Sequence, residues 1–526
     1  MSISKKEISF FFLLCFLGSI IILCITGVMY NGFVWGDHQQ YLVIYDYSKS
    51  HSILETIWNA VKKDSIWRWR PFFILQYCIG AIFFHNNWLI MHLFLAIIWS
   101  IDATLLYCTA REFRVSRVYA VLYVGTCLIG RQMQLLFDLC VAGGICLLPV
   151  CLCIYSLSKY RISCKTKYLV SINISLLLLL FTLEDYFICI PFLVAIYILI
   201  YQENNNCSLW TSIKENIIMI IVWIIACAGV IYNILTKTAF SLSGKSKIGN
   251  IQLGAGINTS KLSLHLLGYM HSSLAILCII IPLAILIKQI YRHKLSLNKI
   301  IFSLVIFVFL ILEIIIHSQH PIDGRYWLPM LVPIASIICI FFPREFNNRI
   351  FRIIVALLLI WNLIRCTVDS HLLAEDYRNT YLSYNEMVSY IDREIPAEKK
   401  IWLEFGLVDN NLEIGLQMLL DEKGFSNVYF SEQNDKLVDM YKVEADGIEY
   451  TNEITIGQNY RPLYECFGYY PQKIKTIDSH DIDVIICTSD GLDTIYEIIG
   501  KQYLVNTYSE SCVGAYIVYE KSYSNN

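Results

Sequence analysis

The strongest constraint on this chain is a series of apolar runs, most of them close to the length a helix needs to cross a bilayer. A crossing takes about 20 apolar residues. Runs that meet or approach this fall at 9–30, 87–110, 118–130, 139–158, 168–183, 187–201, 217–235, 271–287, 300–316, 327–343 and 353–368. Eleven such segments predict an α-helical polytopic membrane bundle over residues 1–368, with a long first loop at 31–86. Composition agrees, since only 16% of residues are charged and the mean hydropathy is +0.53, whereas about 25% are charged in soluble domains. The first run begins at Lys5-Lys6 like a signal peptide. Its apolar stretch is longer than such peptides carry and ends without a small-residue cleavage site, so a retained anchor is expected.

Lys and Arg in alternate connections give the orientation, because cytoplasmic loops carry the excess. With the N-terminus inside, the inner segments hold 17 Lys/Arg in 64 residues and the outer ones 11 in 112. An odd number of crossings then puts residues 369–526 outside. The formal net charge of -2 gives no basic footprint for nucleic acid. Most of the 19 cysteines fall inside apolar runs, where a thiol behaves as a small hydrophobe. Cys466, Cys487 and Cys512 lie in the polar tail without the spacing of a zinc site.

That tail changes character. Short apolar stretches, "KKIWLEF", "NVYF", "IDVIICTS" and "GAYIVYEK", alternate with the helical patterns "NNLEIGLQMLLDEKG" and "GLDTIYEIIGKQY". The alternation predicts a small extracytoplasmic α/β domain over 369–526. It carries no phosphate loop or nucleophile elbow, and "GAGINT" at 254–259 has no preceding strand to make it a dinucleotide fingerprint.

The outer boundary collects the charges that call for explanation. Asp37 and His38 in "FVWGDHQQYL" open the first outer loop, and "SILETIWNAVKKDSIWRWRP" follows. Its Ile53, Ile57, Trp58 and Val61 share a helical face, with Trp67 and Trp69 beside Arg68 and Arg70, so this segment should lie along the membrane surface. Asp138 is expected at the start of the fourth span, Glu184 and Asp185 at a turn between spans, and Arg325-Tyr326 in "HPIDGRYWLP" before the tenth. Each has an ordinary reading: an acid on a helix dipole, a hydrated turn, a surface histidine, arginines reaching lipid phosphates. Asp37 resists it, having no basic neighbour in sequence, and boundary acids of this kind are functional candidates.

The first span ending in an acid, the long first loop with a surface helix, the further outer acids, the late "RYWLP" and the outer C-terminal domain together resemble the GT-C class of membrane glycosyltransferases. Protein O-mannosyltransferases, the lipid A aminoarabinose transferase and oligosaccharyltransferase belong to that class. The resemblance implies that Asp37 is the catalytic acid, that Asp138 assists it, and that Arg325 and Tyr326 lie near a lipid phosphate. Many members carry two adjacent acids in the first loop, whereas here Asp37 is followed by His38.

Outside the membrane no nucleotide-activated donor is at hand, so a polyprenyl-phosphate-linked sugar, with its chain among the membrane lipids, is the expected donor. A cell-envelope glycan, lipid or protein is the expected acceptor. An inverting transfer needs a base for the acceptor hydroxyl, worth roughly 10² to 10⁴ in rate. It also needs positive charge at the leaving phosphate, for which Arg70 and Arg325 are the choices. Glu184 and Asp185 orient the acceptor in this reading, and if a divalent metal takes part, carboxylates from two loops suit Mg²⁺ or Mn²⁺. Two other readings stay open: a polytopic transporter or flippase, with Asp102 and Glu313 as acids inside spans, and a non-catalytic membrane scaffold presenting the outer domain. A reporter fused after residue 115 or 295 should read as cytoplasmic and one fused after 380 as extracytoplasmic. An inside reading at 380 contradicts the odd span count.

Overall fold

The computed structural model describes residues 3–32, 38–64, 70–139, 144–182, 186, 189–237, 246–248, 251–253, 280–291, 297–316, 328–341, 349–406, 411–431, 467, 469, 472–474 and 478–522. Helices come first: α1 Lys5–Thr26, α2 His38–Ser48, α3 Ile53–Asp64, α4 Pro71–Cys78, α5 Trp88–Glu112, α6 Arg117–Leu128, α7 Gln134–Phe137, α8 Leu147–Ser163 and α9 Thr166–Leu180. Then follow α10 Cys189–Asn205, α11 Leu209–Glu215, α12 Ile217–Lys237, a hairpin of β1 Ser246–Ile248 and β2 Ile251–Leu253, α13 Ile281–Tyr291, α14 Leu297–Ile316, α15 Leu328–Phe341 and α16 Arg349–Glu394.

These helices build a bundle for a membrane. On α1 the residues Phe10, Leu14, Leu17, Ile21 and Ile25 all face outward, and on α16 so do Ile353, Leu357, Trp361, Ile364 and Val368. Continuous exposed stripes of this size are intolerable in water and natural against lipid. Among the described residues three helices, Lys5–Thr26, Trp88–Glu112 and Arg352–Glu394, have the length and apolarity to cross alone. The count rises to five if each of two bent pairs is one span. One of those pairs changes a sequence expectation. Instead of a straight span at 118–130, α6 ends at Leu128 and the chain turns by 69° into 131–137. Gly130, at φ 138°, supplies a conformation that L side chains rarely adopt.

Neighbouring helices run end to end in alternation, which side-chain contacts make explicit. At the N-terminal end Glu7 of α1 meets Arg111 of α5 at 2.9 Å and Arg117 of α6 at 3.0 Å. Lys159 of α8 pairs with Glu112 of α5, and Arg161 with Glu203 of α10 at 2.9 Å. At the opposite end His92 near the start of α5 bonds the carbonyl of Asn31 at 3.2 Å, the Phe72 N–H donates to Phe181 O at 2.9 Å, and Cys189 Sγ donates to Pro329 O at 3.0 Å. The first long loop, with α2 to α4, therefore lies at the end away from Glu7.

Helix α16 leaves the bundle at that same end. Its 46 residues amount to roughly 70 Å, about twice a bilayer core, and the helix runs without a break past the boundary expected at 368/369. Its last turns carry the α/β domain. Here β3 Ile401–Glu404, α17 Asn411–Glu422, β4 Val428–Phe430, β5 Val484–Cys487, α18 Leu492–Ile499, α19 Lys501–Thr507, β6 Tyr508–Val513 and β7 Tyr516–Lys521 form a five-stranded sheet of order β4-β3-β5-β7-β6. β4, β3 and β5 are parallel; β7 and β6 close the sheet antiparallel. Both faces are covered: Leu403 and Ile486 pack into the core shared with α16 and α17, and Trp402 and Ile485 pack with Ile495 of α18 and Leu504 of α19. Among the described residues no cysteine is in a disulfide.

At the end of β3 a carboxyl is buried. Glu404 is 1% exposed, and burial, reinforced by the neighbouring Glu413, pushes its pKa up to about 8. The folded state therefore keeps a proton there that the unfolded chain releases near pH 4.5. The stability this contributes is complete below that value and is lost as pH rises through about 8. Glu404→Gln should therefore raise the melting temperature more at pH 8 than at pH 5, read from tryptophan fluorescence of the solubilised protein. Parallel wild-type and variant curves would show that Glu404 titrates normally.

Candidate functional site

The first-loop end of the bundle gathers three of the polar residues that the sequence singled out, Asp138, Arg70 and His38, together with several that it did not. Asp138 follows the last residue of the short helix α7, nine residues before α8 begins at Leu147. It does not sit on the N-terminus of a fourth span, so the helix-dipole explanation of this acid fails. Its side chain meets α16: the Tyr377 hydroxyl donates to Asp138 Oδ2 at 3.1 Å, and Gln134 Nε2 donates to the same phenol oxygen at 2.9 Å. Asp138 is 7% exposed. The Tyr41 hydroxyl of α2 donates to Leu139 O at 2.9 Å, which fastens the first loop to this segment. Tyr41 in turn packs edge-on against Tyr77 at 4.8 Å. Gly80 is needed here, because a Cβ on it would approach the Tyr41 ring to 2.6 Å.

Arg70 lies in the same loop, and its fork is engaged. Nη2 and Nε meet Asp64 Oδ1 at 3.0 and 3.2 Å, and the guanidinium stacks 4.3 Å from the Phe73 ring. Asp64 and Arg70 are largely buried, with side chains 7% and 14% exposed. The expected phosphate contact of Arg70 is thus preceded by an ion pair within the protein. His38 is not a surface histidine. It is 8% exposed, and burial holds its imidazole down at about 4, so it is neutral at pH 7. Helix α17 of the α/β domain packs over it: a Cβ at Gly415 would lie 3.8 Å from both His38 Cβ and the Gln39 backbone nitrogen. Lys49 and Glu422 approach to 3.8 Å across the same seam.

The faces of α3 divide differently from the expected apolar stripe. Leu54 and Trp58 project outward, whereas Ile57 and Val61 pack against the protein core. Asp37, Glu184, Asp185, Arg325 and Tyr326 lie outside the described residues, as do Trp67, Arg68 and Trp69. Among the described residues no group of three or more His, Cys, Asp or Glu side chains is placed to hold a metal. Of the intramembrane acids, Asp102 is fully buried in α5, and the Glu313 side chain lies outside those described.

Tyr377, Gln134 and Asp64 were not singled out from the sequence. Tyr377 falls 239 residues from Asp138, beyond the last expected span, and no local pattern links the two.

No family model matches the chain, and no curated protein matches it. Among solved structures the chain is similar to ArnT from Cupriavidus metallidurans, crystallised bound to undecaprenyl phosphate. That likeness has a TM-score of 0.48 at 11% identity and covers 97% of this chain and 98% of that one. At this distance no residue role is carried over.

Removing Asp64 alone takes away the carboxylate that the buried Arg70 guanidinium meets, so Asp64→Ala should cost roughly 3–5 kcal/mol, read by thermal unfolding of the solubilised protein. Adding Arg70→Met should recover much of the loss. A single variant that melts like wild type would mean the pair is solvated in the protein.

Proposed function

We propose that this chain is a GT-C-type membrane glycosyltransferase that moves a sugar from a polyprenyl-phosphate donor to an extracytoplasmic acceptor. The observation that supports it most is the buried Asp138 carboxylate, held by Tyr377 at the first-loop end of a lipid-facing bundle. A donor whose tail stays in the bilayer presents its sugar-phosphate headgroup at such an end. The reading keeps eleven crossings with the N-terminus cytoplasmic, and it places the first loop and the α/β domain outside.

In this mechanism the acceptor oxygen forms a bond to the anomeric carbon while the bond from that carbon to the phosphate oxygen breaks. The acceptor proton goes to a carboxylate, Asp37, with Asp138 assisting by orienting the hydroxyl. The electron pair of the broken bond stays on the lipid phosphate. Arg325 and Tyr326 stabilise its growing charge, with Arg70 in support through its Asp64-fixed guanidinium. Glu184 and Asp185 orient the acceptor. No step requires a metal.

Undecaprenyl phosphate, present in the ArnT structure, sets the choice of donor lipid for the test. Purified protein should transfer sugar from an undecaprenyl-phosphate-linked donor, and Asp37→Asn should slow turnover by roughly 10² to 10⁴. His38→Gln should do much less, and Arg325→Lys should weaken donor use more than acceptor use. Near wild-type turnover in Asp37→Asn would move the base to Asp138 or Glu184.

A further inference from the structure

We infer that Tyr377 is the positioning residue of Asp138: its hydroxyl holds the carboxylate charged and at a fixed angle. The inference rests on the transfer reaction proposed above and specifies how its second acid is set. Tyr377 touches neither donor nor acceptor in this scheme and acts only through Asp138.

Three observations carry it. First, the phenol is oriented. Gln134 Nε2 donates to its oxygen at 2.9 Å, and the hydroxyl proton is directed to Asp138 Oδ2 at 3.1 Å. Such a bond to an ionised acceptor is stronger than one between neutral groups and favours the charged form. Second, the helix that carries the ring is fastened on both sides of it. Ser370 Oγ donates to Gly130 O at 3.1 Å before it, and Arg378 and Tyr381 follow it against Gly27 and Gly32. A Cβ on those glycines would come within 3.1 and 3.2 Å of the two side chains. Third, among the described residues, titratable groups on neighbouring elements are engaged elsewhere or exposed. His92 bonds Asn31 O at 3.2 Å and Tyr41 donates to Leu139 O at 2.9 Å, while Arg131 at the start of the turn is exposed. Gln134 and Asp138 bracket α7, so one phenol from α16 ties down both ends of that short helix.

The direct test titrates the Asp138 carboxylate by infrared difference spectroscopy, subtracting Asp138→Asn from each protein to isolate its band. Tyr377→Phe removes one donor to the charged form. Its midpoint should move to higher pH by about one unit, the size expected for losing one hydrogen bond to a charged group. Gln134→Leu, which leaves the hydroxyl in place but removes the Gln134 donor to it, should shift it the same way by less. It also serves as the second variant should Tyr377→Phe fold poorly. In the transfer assay the acid limb of the kcat profile should shift upward with the infrared midpoint, with donor KM within about twofold of wild type. Unchanged infrared midpoints in both variants would overturn the positioning role. A shifted midpoint in a protein that transfers from no lipid-linked donor would uphold that role and overturn the proposed reaction instead.

Discussion

The price of placing charge in hydrocarbon organises this molecule. Ionisable side chains near a bilayer centre are costly unless paired or turned toward protein, and here those described gather at two ends, with Asp102 buried within α5 between them. The N-terminal end carries the linked ion pairs of Glu7 with Arg111 and Arg117, Glu112 with Lys159, and Glu203 with Arg161. These join α1, α5, α6, α8 and α10 and do what ion pairs at helix ends ordinarily do, fixing neighbours in register. The opposite end is different in kind. Two of its described acids are buried, Asp138 against Tyr377 from a distant part of the chain and Asp64 against Arg70 of the same loop.

That difference depends on α16. A helix limited to the bilayer would end near the level of Ser370. This one continues, bringing Tyr377 to Asp138, Arg378 and Tyr381 to the first turn after α1, and Tyr390 to Glu520 of the sheet. The α/β domain is consequently seated on the first loop, with α17 over His38 and Lys63 over the Phe467 ring at 3.7 Å. A scaffold reading treats this domain as a module displayed to partners. The burial of His38 beneath it fits a domain that forms one wall of the site.

Much of this was legible from residues alone. Apolar runs located the helices, because backbone in lipid must satisfy its own hydrogen bonds. The tail's strands β3, β4, β5 and β7 fall where short apolar stretches stood. Strand β6, "YSESCV", escaped, because as an edge strand it buries only its terminal residues, Tyr508 and Val513. The sharp turn at Gly130 escaped as well, since hydropathy measures apolarity and not direction. Asp138 was picked out for its boundary position, yet its partner was out of reach. The pairing of Asp64 with Arg70 was close in sequence but hidden by a pattern that read α3 only for its apolar face.

The most direct test is a density map of the purified protein with undecaprenyl phosphate bound in lipid nanodiscs. The phosphate headgroup should lie at the first-loop end, beneath α17 and facing the Asp138–Tyr377 pair, with its chain leaving between lipid-exposed helices. A headgroup seated at the Glu7–Arg111 end, or lipid density confined to the annulus around the bundle, would contradict the assignment of that end as the site of transfer.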